Sequence, residues 1–126
     1  MLKRIQRGFT LVELMVVMAI IALLLSLALP RYFKHLDMSR ETILKQDLAV
    51  MRDAIDKYHG DTGRYPDDLD ELVSARYLRA VPVDPITERR DTWQIVAPSG
   101  DAAGAMYDIR SGAPGVAHDG SAYADW

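Results

Sequence analysis

Glu13 is the residue whose chemistry needs explaining first. It is the single charge in residues 9–29, FTLVELMVVMAIIALLLSLAL, a run of 21 otherwise uncharged and mostly apolar residues. A carboxylate deep in such a run costs roughly 2.5–3.5 kcal/mol in lipid, and less near the interface. The plainest account is a side chain that snorkels to the headgroups. Other reactive residue types offer less. The chain has no cysteine, which excludes thiol chemistry and disulfides. His35, His59 and His118 lack metal-ligand spacing, and there is no H-E-x-x-H, no G-x-S-x-G and no phosphate-cradling glycine loop. The acids of 67–71, Asp-Asp-Leu-Asp-Glu, read as the charged first turn of a helix in preference to a metal site. Nothing in these patterns supports an enzyme.

The apolar run must be positioned by a helix. At about 1.5 Å per residue it would be about 32 Å long, enough to cross a hydrocarbon core of ~30 Å. Lys3, Arg4 and Arg7 precede it, so the positive-inside rule keeps the N-terminus cytoplasmic and sends the rest outward. Pro30 follows, and is expected to end or kink the helix because it lacks an N–H and crowds the carbonyl four residues back. Two simpler readings fit the same stretch: a secretory signal peptide cut at Ser26-Leu27-Ala28, or a plain single-pass anchor.

Size and charge set further bounds. The 126 residues allow one small domain beside the membrane segment. Of the formal net charge of −3, Lys3, Arg4 and Arg7 contribute +3, so the remainder carries −6. A negative body argues against nucleic acid as a partner, since phosphate binding needs a basic surface.

Residues 7–13, Arg-Gly-Phe-Thr-Leu-Val-Glu, resemble the processing site of type IV prepilins and type II secretion pseudopilins. The resemblance rests on a basic leader, Gly8, Phe9, Thr10 and an acid four positions after Phe9, followed without a break by the apolar run. It implies a leader of residues 1–8, cleavage between Gly8 and Phe9 by a membrane-embedded prepilin peptidase, and methylation of Phe9. The helix is then kept, whereas secretory cleavage discards it. An ammonium on Phe9 would lie one helical turn from Glu13. The resemblance assigns Glu13 to neutralising the Phe9 amine of an adjacent subunit during assembly.

Beyond the membrane segment, Leu36, Ile43, Leu44, Leu48, Met51, Ile55 and Tyr58 form one apolar stripe at three- and four-residue steps, which continues the helix to about residue 59. Gly60 is expected to stop it, with a turn over 60–63. Asp67 is expected to cap a short helix with Leu69, Leu72 and Val73 on its apolar side. Residues 92–96 and 105–109 read as two short strands joined by a turn at 98–101. Trp126 is expected to pack back on the domain. The whole reads as an α+β, pilin-like chain: leader 1–8, transmembrane and filament-core helix 9–29, and periplasmic domain 30–126.

Gly63-Arg64-Tyr65-Pro66, then Leu78-x-x-Val81-Pro82-x-Asp84-Pro85, Trp93 and a closing Trp126, are similar to the major pseudopilins of type II secretion, the general secretion pathway protein G family. This implies a subunit of a helical homo-oligomeric filament. Its partners would be minor pseudopilins, the prepilin peptidase and methylase, and an inner-membrane assembly platform. Before assembly it would sit in the bacterial inner membrane with its domain in the periplasm. Many such proteins hold calcium in the final loop. Here Asp119 would be the best carboxylate, helped by carbonyls; the alternative is an Asp119-Gly120 turn packed without metal. No other cofactor is expected. The alternatives in function are a type IV pilus subunit, major or minor, and a Sec-exported soluble periplasmic protein.

Overall fold

The computed structural model describes residues 3, 4 and 6–126; Met1, Leu2 and Ile5 of the expected leader lie outside the described residues. Among the described residues the elements are α1 (Leu11–Thr62), α2 (Leu69–Ser74), β1 (Gln94–Val96), β2 (Asp108–Arg110) and a 3-10 turn at Tyr123–Asp125. The class is α+β, as expected. The chain divides into two compact units, one ending at Asp37 and the other Met38–Trp126.

In the first unit, α1 starts at Leu11 and exposes apolar side chains all round. The large ones from Leu11 to Leu29 are between 45% and 74% exposed. Pro30 lies inside α1, so the helix does not end there. Proline removes only its own bond to the Ser26 carbonyl, and the good helix formers on both sides carry the helix through.

In the second unit, Leu44, Leu48, Met51, Ala54, Ile55 and Tyr58 of α1 are buried. They pack with Leu69, Leu72, Leu78, Trp93, Met106 and Ile109 into one core. The stripe is narrower than its sequence pattern, because Ile43 is 51% exposed. Trp126 packs against this core, as expected.

Two helix boundaries differ from the sequence expectations. Gly60 stays helical, and α1 ends at Thr62. Gly63 is the residue that adopts positive φ (78°), and its N–H bonds the His59 carbonyl at 2.9 Å. Thr62 Oγ1 donates to the Tyr58 carbonyl at 2.8 Å, which holds the last turn closed past Gly60. The cap of α2 is Asp68 and not Asp67: its carboxylate accepts from the Glu71 N–H at 2.8 Å. Glu71 reaches back to the Asp67 N–H at 2.6 Å, so the preceding residue is held but does not cap.

The strands are shorter than read, and the second begins later. β1 and β2 are antiparallel, with Ile95 opposite Ile109. The N–H groups of Ala105 and Met106 go instead to the Pro66 carbonyl, at 3.2 and 2.9 Å. At the other end the Trp93 indole N–H donates to the Pro82 carbonyl at 2.9 Å.

Asp84 is a fully buried acid. Its carboxylate accepts from Ser111 Oγ at 2.8 Å and from the Ile86 and Thr87 N–H groups at 2.8 and 3.3 Å. A buried carboxylate is tolerated only with such a set of donors. Its charge is also felt by Asp47, whose carboxyl is pushed above its usual range by burial first and by Asp84 second.

Denaturation of the full chain in detergent tests these assignments. Gly60→Ala should stabilise by about 0.5–1 kcal/mol, as at a helix-interior site, and Gly63→Ala should destabilise by about 1 kcal/mol. The folded protein holds the Asp47 proton more tightly than the unfolded chain does. Ionisation therefore costs stability above the folded value, and the cost vanishes below the ordinary value of 3.8. Asp47→Asn should raise the melting temperature at about pH 7, with the gain gone by about pH 3.

Candidate processing and assembly site

The start of α1 must satisfy N–H groups that have no carbonyl four residues back. Thr10 stands just before the helix and its carbonyl accepts the Leu14 N–H at 3.2 Å. Thr10 Oγ1 accepts from the Glu13 N–H at 3.2 Å. Glu13 Oε2 in turn accepts from the Thr10 N–H at 2.9 Å. This reciprocal pair is a capping box. It places the only carboxylate of the apolar run at the helix entrance, where the positive end of the helix dipole also favours it.

The structure thus brings Thr10 and Glu13 together, with Phe9 directly before them. Phe9 is 94% exposed. Gly8 and Phe9 lie outside the helix in irregular backbone. Proteolysis needs such accessible backbone, and a helix would deny it. A Cβ built on Gly8 meets nothing within 4 Å. The chain's own packing therefore does not require glycine there, and any requirement comes from a molecule that reads this segment. Lys3, Arg4 and Arg7 are exposed ahead of it.

The bonding role of Thr10 is what the reading of single residues missed. Its signal was present as Thr10-x-x-Glu13 before an apolar run, the sequence form of a capping box. Pro30 lies far along the helix from this cluster and takes no part in it.

The terminal loop was the expected calcium position. Asp119 Oδ1 accepts from the Ser121 N–H at 2.9 Å and from Ser121 Oγ at 2.6 Å. Among the described residues, no three His, Cys, Asp or Glu side chains converge to hold a metal. Calcium takes six to eight oxygens, and the side-chain donors here fall far short of that shell.

Comparison with known proteins follows the same residues. The prokaryotic N-terminal methylation motif matches residues 3–29. The chain is 34% identical to the type II secretion system core protein G of Pseudomonas aeruginosa, over 68% of this chain and 71% of that protein. It is 35% identical to the fimbrial protein EcpC of Eikenella corrodens, where it spans 58% of the relative's length. It is 45% identical to the type IV major alpha-pilin of Moraxella bovis over 40% of this chain and 32% of that one. No solved structure matches significantly.

Thr10→Val removes the hydroxyl acceptor of the capping box and should fray the first turn by about 1 kcal/mol. Amide exchange at Glu13 in detergent micelles should quicken roughly fivefold, and Thr10→Ser should keep the wild-type rate.

Proposed function

We propose, from the premise that the chain belongs to the family of the type II secretion system core protein G, that it is the structural subunit of a periplasmic pseudopilus whose growth exports folded proteins across the outer membrane. One observation carries the reading: an exposed, non-helical Gly8–Phe9 bond adjoins a capped helix whose apolar side chains stay uncovered.

The chemistry starts with hydrolysis. Water adds across the Gly8–Phe9 bond, releasing residues 1–8 with a new carboxylate and leaving an ammonium on Phe9. A methyl group from an activated donor then replaces one of its protons. The peptidase and methylase perform these steps; the chain is their substrate. Removal of Lys3, Arg4 and Arg7 takes away the charges that hold the N-terminus in the cytoplasm.

Assembly exchanges one apolar environment for another. The side chains of 11–29 leave lipid and meet the same segment of neighbouring subunits, so hydrophobic free energy changes little and packing decides association. An unpaired ammonium in that setting is costly, and Glu13 of a neighbour is the group to neutralise it. An inner-membrane platform and minor pseudopilins complete the machine. A type IV pilus subunit is the second reading, favoured by the likeness to the EcpC and Moraxella proteins.

Intact mass of membrane-extracted protein should equal residues 9–126 with one hydrogen replaced by a methyl group. Secretory cleavage would instead give a chain beginning at Leu29. Glu13→Lys should still insert and be cut, yet lose filament yield at least about tenfold. Wild-type filament yield from that variant would remove the pairing role.

A further inference from the structure

The end of the chain folds back on itself and then onto α1. Val116 and Ala122 form an antiparallel bridge. The Ala117 N–H donates to the Ser121 carbonyl at 2.7 Å, and the Tyr123 N–H to the Gly115 carbonyl at 3.3 Å. Two α1 residues one turn apart then grip the loop. Glu41 Oε1 accepts from the His118 N–H at 2.8 Å and from the Tyr123 hydroxyl at 2.9 Å. Lys45 Nζ stands 4.4 Å from the centre of the Trp126 ring.

Trp126 connects this grip to the acid of the loop. Its ring meets Tyr123 edge-on at 5.2 Å. Its indole N–H donates to Ser121 Oγ at 2.7 Å, and that hydroxyl donates to Asp119 Oδ1 at 2.6 Å. The Asp119 carboxyl is held below its usual range by the two Ser121 bonds first and, more weakly, by the positive charge of Lys45. The loop therefore has an acid satisfied from within and a cation that lies over the closing tryptophan and whose charge is felt by that acid.

We propose that the Lys45 ammonium is the resident cation of the terminal loop, so that residues 117–126 close on α1 through Glu41, Lys45, Ser121 and Trp126 with no metal ion. An ammonium needs no closed shell of oxygens; it acts as a point charge on a flexible stem and is attracted by the face of an indole. Calcium would need six to eight oxygen ligands, and among the described residues no three acidic or imidazole side chains gather to start such a shell. The inference holds for a pseudopilus or a pilus subunit alike, since it concerns only how this domain closes.

The test is thermal unfolding of the full chain in detergent, with millimolar calcium chloride, with the same concentration of magnesium chloride, and with a chelator. Wild type should melt at one temperature in all three. Lys45→Met keeps the length of the stem without its charge, and should melt about 3–6 °C lower, while Lys45→Arg should restore the wild-type value. Lys45 is exposed, so these variants should fold. Limited proteolysis should cut the Lys45→Met loop faster than the wild-type loop. A rise in melting temperature specific to calcium, or Lys45→Met melting and resisting protease like wild type, would overturn the proposal.

Discussion

Uncovered apolar surface governs the organisation of this chain. Between Leu11 and Leu29, leucine, isoleucine, valine and methionine face outward on every side of α1. Each such side chain left in water forfeits roughly 1.5–3 kcal/mol. No charge relieves the stretch after Glu13. The surface therefore calls for lipid, or for other copies of the same segment, and a helix is the form that meets either need with its backbone bonds satisfied internally. Every charge is pushed to the ends. The basic residues stand before the run, and the single acid stands where a cap can use it.

The same helix meets the opposite condition in the second unit. From Leu44 to Tyr58 one apolar face, Leu44, Leu48, Met51, Ala54, Ile55 and Tyr58, finds partners in a small core. That unit has no disulfide to help it. Polar links tie its loops to α1 and to one another instead. Arg52 joins α1 to β2 through Asp108 and the Ile109 carbonyl, at 2.7 and 2.9 Å. Asp84 and Ser111 join two loops inside the core. Glu71 receives the Tyr58 hydroxyl and pairs with Arg64, so α2 is fixed to the end of α1. These links are directional, and they specify which loop goes where in a way that a small apolar core alone does not.

What the sequence made legible follows from the range of the forces involved. The unbroken apolar run and the periodic core stripe are strong signals that local pattern decides, and both are seen in the structure. Errors came where two local candidates stood side by side. Gly60 and Gly63 both fit a helix stop, and the choice fell to the one whose backbone takes positive φ. Asp67 and Asp68 both fit a cap, and the bond to Glu71 selects the second. The strand ends were set at long range, by a Pro66 carbonyl that takes the N–H groups of residues 105 and 106. The burial of Asp84 was beyond local reading, because its hydroxyl partner lies 27 residues away.

At the helix entrance, the cap and the expected ion pair do not compete for the same atoms. A carboxylate offers about four acceptor positions. The bond from the Thr10 N–H occupies one of them, on Oε2. A neighbouring ammonium can therefore be received without opening the cap. Holding the cap also fixes the Glu13 rotamer beforehand, so the pair forms at less cost in side-chain freedom than a loose glutamate would incur. Thr10 is thus more than a helix starter. It sets the direction in which the one acid of the apolar run points, and it does so from the residue next to the nitrogen that processing would charge.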